Sequence, residues 1–332
     1  MQYRRLGRDG PQISPIGIGA MSFSDFYGPT TEAESHAILA AALDLGLNHV
    51  DTANVYGGGG SEAAIGSFLA ANPGTRDRLV IATKAGIARD GDGNRYFDNS
   101  AEHLESELDK SLARMGLDHV DLFYVHRRDA GVPIEEATEN LARLVASGKT
   151  RHIGFSEIAP ASLRRANAVH PIAAVQSEYS LSTRAPELGL VQTCADLGTA
   201  LVAFSPVGRS LLTDHPLQAR AIPGLPFLAA NPRFQEPDLS ANLAITDRFR
   251  ALAADMGVTA ASLAIAWLLH RGEHVIPIPG TRSVGHLREL AAGMDLALSP
   301  EDVGRIETAL PAGWAHGDRY STAQWVGPER YC

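Results

Sequence analysis

The sequence predicts an α/β protein built as a closed (β/α)8 TIM barrel, and three observations carry that expectation. First, eight short apolar runs recur along the chain, at 15–20, 47–51, 79–83, 120–125, 151–155, 173–176, 200–204 and 274–278. Second, amphipathic helical patterns separate them, for example 100–115 and 134–147, the latter ending at Gly148. Strands alternating with helices imply a parallel sheet with crossover connections. Third, the count is eight, which suits a barrel better than an open doubly wound sheet, and 332 residues suit one such domain spanning 1–332.

The remaining segments are placed around that frame. Residues 2–14 read as an N-terminal β-hairpin turning at Arg8-Asp9-Gly10-Pro11. The stretch 206–241 after strand seven is a long loop rich in Pro, Gly and Leu, expected to be a functional lid or disordered. A C-terminal loop, 311–332, carries Trp314, Tyr320, Trp325 and Tyr331, a density of aromatics that suggests packing rather than fraying.

Composition narrows the function. Lys+Arg 29 against Asp+Glu 38 leaves a net charge of −9, which argues against a nucleic-acid binder or a basic membrane-surface protein. Anionic ligands would then need a local basic pocket. The two cysteines, Cys194 and Cys332, fit no zinc or disulfide pattern. The N-terminal residues lack the apolar stretch of a secretory signal, and no run reaches the ~18 apolar residues of a membrane span. The expectation is a cytoplasmic protein without a membrane or nucleic-acid partner, a monomer or weak homo-oligomer.

A barrel puts its working residues at the C-terminal ends of its strands. Strand two ends on Asp51, and Tyr56 follows in a glycine-rich loop; strand three ends on Lys84 and strand four on His126. A phenol near pKa 10 can deliver a proton at neutral pH only with help, and a neighbouring ammonium lowers its pKa. Each residue also has an ordinary reading: Asp51 a cap or ion-pair partner, Tyr56 a packing residue, Lys84 a solvated charge, His126 a structural histidine. Their joint placement at successive strand ends favours the functional one. Gly57-Gly58-Gly59-Gly60 matches neither a P-loop nor GxGxxG, so it reads as a flexible loop with Ser61 capping the next helix.

DTANVYG, IATK and FYVH resemble the tetrad motifs of the aldo-keto reductases, and the resemblance covers about residues 3–295. It implies hydride transfer from a nicotinamide cofactor to an aldehyde or ketone, with Tyr56 as general acid, Asp51 holding Lys84, and His126 orienting the carbonyl. No metal is implied. It implies NADP(H) in preference to NAD(H), bound along Gly19, Ala20, Met21, Asp51, Ser156, Glu157, Gln176, Phe204, Ser205, Pro206, Gly208, Arg209 and Leu211. In that resemblance Phe204 stacks on the nicotinamide ring, the pyrophosphate lies against the backbone of 206–211, Gly280, Thr281, Arg282 and His286 face the adenosine phosphate, and Glu289 contacts the adenine. The pattern departs at Glu157, where family members often have Asn, and at Leu290, where Asn is usual. It departs also at His286, where a second basic residue is common and a mostly neutral histidine softens the phosphate preference.

The resemblance implies a small carbonyl substrate, whose pocket is expected among Tyr27, Arg127, Phe227 and Trp314, with Trp325 nearby. Arg127 could attract an anionic or polyhydroxylated substrate, or form an exposed ion pair with Asp129. Three other functions compete: a sugar or polyol dehydrogenase on the same site, a Schiff-base lyase using Lys84, and a slow NADP-binding regulatory subunit.

Overall fold

Each of the eight apolar runs forms a strand, and all eight join one parallel sheet in a computed structural model that describes residues 2–330. They are β1 (Ile18–Gly19), β2 (His49–Asp51), β3 (Val80–Ala85), β4 (Val120–Val125), β5 (Thr150–Ser156), β6 (Ala174–Glu178), β7 (Ala200–Phe204) and β8 (Val275–Pro277). Neighbours in the sheet follow chain order throughout. Two backbone hydrogen bonds then link the first strand to the last, Gly17 N–H to Pro277 O and Gly19 N–H to Pro279 O, both 2.9 Å. The seam is one-way because Pro277 and Pro279 have no N–H to return. It also needs small residues: a Cβ on Gly19 would stand 2.7 Å from Ile278 O.

The strands read as continuous apolar runs because both faces are buried. One face lines the barrel, where Val80, Ala82, Leu122, Tyr124, Ala174, Val202 and Ile276 form an interior cluster. The other face, including Ile81, Phe123, Ile153, Val175 and Leu201, packs against the surrounding helices. The N-terminal hairpin, Arg4–Arg5 with Gln12–Ile13, adds Leu6 and Ile13 to the interior cluster and so plugs the barrel floor. Ser100 caps the helix Ala101–Met115 through the backbone N–H of His103, and Gly116 ends it in the left-handed conformation.

Three segments differ from expectation. A second hairpin, Ile87–Arg89 with Arg95–Phe97, follows β3; its short, charge-bearing strands carry no apolar run to announce them. The 206–241 stretch is ordered, as the short helical turns Gly208–Ser210, Ala219–Gly224, Pro226–Ala229 and Pro232–Phe234, and the helix Asp238–Asp255 already begins within it. It has its own small core of Leu211, Ile222, Leu225, Leu228, Phe234 and Leu239. Ser61 does not cap the helix Gly60–Ala71, whose N-cap is Gly59. The Ser61 hydroxyl instead donates to Ala20 O at 2.7 Å and meets Thr52 Oγ1 at 2.8 Å, tying the helix to the ends of β1 and β2.

The C-terminal segment runs back across the barrel. Asn242 Nδ2 donates to His316 O, Arg233 Nε to Gly317 O, Gln324 Nε2 to Phe227 O and Arg95 Nη2 to Ala323 O. Tyr331 and Cys332 lie outside the described residues, while Cys194 is buried and free. Among the described residues no single helix is long and apolar enough to cross a membrane, and no group of three His, Cys, Asp or Glu could hold a metal.

Candidate active site

Strand pleating decides which side chains enter the barrel. Val80 and Ala82 point inward, so Lys84 does too; Ala174 points inward, and so does Gln176. Both converge on Asp51 at the end of β2. Lys84 Nζ donates to Asp51 Oδ1 and, at 2.7 Å, to Thr52 O. Gln176 Nε2 donates to Asp51 Oδ2 at 2.8 Å. The Lys84 side chain is 0% exposed and that of Asp51 2%. Burial lowers the Lys84 pKa and the Asp51 charge opposes the shift. A buried ammonium without that partner would be strongly disfavoured.

Tyr56 begins the turn Tyr56–Gly59, whose Gly57 and Gly58 adopt φ of 60° and 61°. Glycine suits that left-handed backbone, and a Cβ at Gly57 would also stand 2.8 Å from Ser24 Cβ. The turn lays the phenol ring beside two groups: Lys84 Nζ is 5.2 Å from its centroid, and the His126 ring is 5.7 Å away, edge-on at 85°. Burial raises the Tyr56 pKa above its ordinary value; Asp51 adds to the shift and Arg127 opposes it. The expected lowering by Lys84 is therefore not seen in the resting protein, because Asp51 neutralises the ammonium. His126 is held well below its ordinary value by burial first, then by Arg127, Lys84 and Arg95. Its Nδ1 is buried and unpartnered among the described residues. At neutral pH the site therefore holds a protonated phenol and a neutral imidazole.

The described residues contain four non-glycines with positive φ, namely Glu157, Ser205, Arg209 and Ser210, and all lie just past β5 or β7. Strain concentrated on one face of a barrel is typical of a working surface. Ser156 Oγ accepts from Arg127 Nη1 at 3.0 Å. Phe204 is half-buried at the end of β7 and leaves a flat ring at the mouth. Gly19 ends β1, Ala20 and Met21 start the following turn, and Ala20 O is the acceptor for Ser61. Ser283 Oγ caps the helix Val284–Ala292, with exposed Arg282 just before it and exposed His286 in its first turn. Arg282 Nη1 donates to Pro29 O at 2.7 Å, next to Gly280 and Thr281 on the loop from β8.

Other predicted contacts are engaged elsewhere. The Arg209 guanidinium turns inward to Glu178 Oε2 at 2.5 Å, so its charge is spent on a buried carboxylate, while its backbone stays in the 206–211 stretch expected against the pyrophosphate. Glu157 ion-pairs with Arg319 and accepts the backbone N–H of Glu178 at 2.9 Å, which ties it to the C-terminal segment. Leu211 belongs to the small core of the 206–241 segment. Glu289 is half-buried, and its carbonyl accepts from Ser262 Oγ at 2.7 Å. Leu290 faces the main core, which explains an apolar residue there. A dinucleotide would thus find a flat ring, left-handed backbone turns past β7 and a helix start with an exposed arginine. That set fits it, although the side chains of Arg209, Glu157 and Leu211 are engaged elsewhere.

The mouth is walled by a chain of rings: Phe26 meets Tyr27 and Phe227 at 5.0 and 4.9 Å, Phe227 meets Tyr320 at 6.4 Å, and Tyr320 meets Trp325 at 5.6 Å. Trp314 is not part of it. Its indole N–H donates to Leu181 O at 2.8 Å and its ring joins the main core, correcting its expected place in the pocket. Sequence reasoning passed over Phe26, Arg95 and Arg319 and read Tyr320 only as a packing aromatic; the Arg319-Tyr320 pair inside an aromatic-rich tail was the available signal.

A model of the Aldo/keto reductase family matches residues 15–311. A probable aldo-keto reductase of Glycine max is 38% identical over 321 residues, covering 96% of this chain and 92% of that one. An aldo-keto reductase of Schizosaccharomyces pombe whose name carries NADP(+) is 35% identical over 321 residues, covering 96% and 94%. Among solved structures, a glycerol dehydrogenase from Gluconobacter oxydans superposes with a TM-score of 0.81 at 27% identity, over 93% of this chain and 94% of that one. An aldo-keto reductase from Bacillus halodurans, in its holo form, gives 0.78 at 24% identity over 94% and 97%, a likeness of fold.

Proposed function

The chain belongs to the aldo/keto reductase family, and we propose that it reduces an aldehyde or ketone to the alcohol with NADPH, Tyr56 acting as general acid. The observation that carries this reading is the buried Lys84–Asp51 pair beside a protonated Tyr56 and a neutral His126. When bound, the reduced nicotinamide supplies hydride to the carbonyl carbon. Tyr56 gives its proton to the carbonyl oxygen as negative charge grows there. Lys84, held by Asp51 and Thr52 O, stabilises the phenolate left behind, a benefit that appears only as the proton moves. His126 hydrogen-bonds the carbonyl oxygen and fixes its angle to the phenol. Such proton transfer typically contributes ~10²–10⁴-fold in rate.

Support for NADP(H) over NAD(H) comes from the name of the fission-yeast relative and from Arg282 beside a capped helix start, where charge and amide donors favour a phosphate. The Gluconobacter neighbour supports a second reading, polyol oxidation in the reverse direction on the same residues. Commitment of Lys84 to Asp51 and Thr52 O speaks against a Schiff-base role. The test is a titration of NADPH against NADH by protein fluorescence, followed by turnover with aldehydes and polyols. Tyr56→Phe is expected to keep cofactor binding and lose at least ~10²-fold in kcat. Undiminished turnover in that variant overturns the mechanism.

A further inference from the structure

We propose that the substrate is an anion, a carbonyl compound carrying a carboxylate or phosphate that Arg127 grips; this rests on the carbonyl-reductase reading of the site. Arg127 directly follows His126, and its half-buried guanidinium has only neutral partners. Nη1 donates to His126 O at 2.7 Å and to Ser156 Oγ at 3.0 Å, and Nη2 makes a long 3.5 Å contact to the Tyr320 hydroxyl. Among the described residues no carboxylate lies within ion-pair distance of it, whereas Arg4, Arg76, Arg114, Arg128, Arg209 and Arg319 all have one.

The nearby acids are already engaged. Asp129 accepts the backbone N–H of Gly131 at 2.8 Å, and among the described residues it makes no ion pair with Arg127. Asp51 is taken by Lys84, and Glu157, which feels the Arg127 charge, by Arg319. Asp98 accepts the backbone N–H of Ser100 and lies 3.9 Å from His103. The hairpin after β3 adds a second cation: Arg95 donates to Ala323 O and Val326 O and has no carboxylate partner among the described residues. Its charge and that of Arg127 both reach His126.

A chain of net charge −9 thus keeps uncompensated positive charge at its reaction mouth. Such a patch draws anionic substrates and repels cationic ones. A guanidinium fork matches carboxylate and phosphate alike, and the aromatic wall of Tyr27, Phe227 and Tyr320 would cover the carbon chain.

Two matched pairs of substrates test this with NADPH: 4-oxobutanoate against butanal, and glyceraldehyde 3-phosphate against glyceraldehyde. The wild type should favour the anion of at least one pair by ~10-fold or more in kcat/KM, mainly through KM, as expected for a charged hydrogen-bond pair. The favoured pair tells which anion is taken. Arg127→Gln should collapse that ratio towards one, Arg127→Lys should keep part of it, and added salt should shrink it. Equal treatment of both pairs, with NADPH turnover intact, overturns the inference and leaves the reductase reading standing. Should no carbonyl be turned over, the reductase reading fails and binding decides the rest. Wild-type protein should bind butanoate more tightly than butanamide by calorimetry, and equal affinities overturn the anion site, whether or not the Arg127 variants fold.

Discussion

Arg319, in the C-terminal segment, is ion-paired with Glu157 at the end of β5, and both residues are almost wholly buried. Glu157 holds a left-handed φ of 59° there, and Arg209, at 54°, is anchored to Glu178 on the neighbouring strand. Arg319 Nη1 lies 3.6 Å from Glu178, and Arg319 O accepts from Arg209 Nη1 at 3.2 Å. One arginine thus fastens both strained strand ends that face the proposed cofactor track. Removing one partner of a buried pair leaves an uncompensated charge, at a cost of about 3–5 kcal/mol. Arg319→Met should lower stability by that order in urea unfolding and weaken NADPH binding in fluorescence titration. A loss within experimental error in both would show that the segment is a passive cover.

The pH dependence of reduction follows from the shifts at Tyr56 and His126. Tyr56 is raised above 10, so it keeps its proton across the neutral range, and His126 is depressed below 6.5, so it stays neutral there. The rate of reduction with saturating NADPH should therefore stay level as pH falls from 8 to below 6.5. A drop centred near 6.5, in stopped-flow single turnovers, would mean that His126 protonates at its ordinary value and that burial does not control it.

Stability should respond to acid through the same physics. His49 and His126 are buried with folded pKa values below the unfolded 6.5. Between the folded value and 6.5 the unfolded chain binds more protons, so stability is fully present above 6.5 and falls as pH drops through that window. Each such group contributes up to about 1.4 kcal/mol per pH unit. His49 sits inside the barrel with Nδ1 3.2 Å from Val80 O, and its Nε2 has no hydrogen-bond partner among the described residues. Urea midpoints measured from pH 7.5 to 5.5 should fall, and His49→Gln should flatten the slope. An unchanged slope in that variant would remove His49 from the account.

The barrel was legible because each strand is buried on both faces, which leaves a compact apolar run in the sequence. The hairpin at Ile87–Arg89 was not, since its strands carry arginines and an exposed Tyr96 in place of a core face. Asp51 and Lys84 could be read as partners because strand pleating and strand order place both at one mouth. The side-chain partner of Arg209 could not be read. Its motif places its backbone in the stretch expected against a pyrophosphate, but its charge partner, Glu178, comes from another strand, and the pairing exists only once the barrel closes. Trp314 failed for the same reason, as its indole acceptor is Leu181. Local pattern carries element type and strand-end position; it does not carry the long-range partner of a charged or polar side chain.

Gly154 offers a test of how tightly the barrel interior supports the site. It lies on β5 opposite Tyr124, and a Cβ there would stand 2.7 Å from two Tyr124 ring carbons and 2.5 Å from Ala174 O. The residue must therefore be glycine for packing reasons, so that the Tyr124 ring can fill the barrel beneath Lys84, whose Nζ is 5.7 Å from that ring's centroid. Gly154→Ala overpacks a closed interior with a backbone oxygen on one side, where relief is small, and should cost about 1–3 kcal/mol in thermal or urea unfolding. The displaced ring presses on Lys84, so kcat should fall while NADPH affinity, which the proposed contacts place at the rim, stays near wild type. Full stability together with full kcat would show that β5 and β6 yield enough to absorb a methyl group.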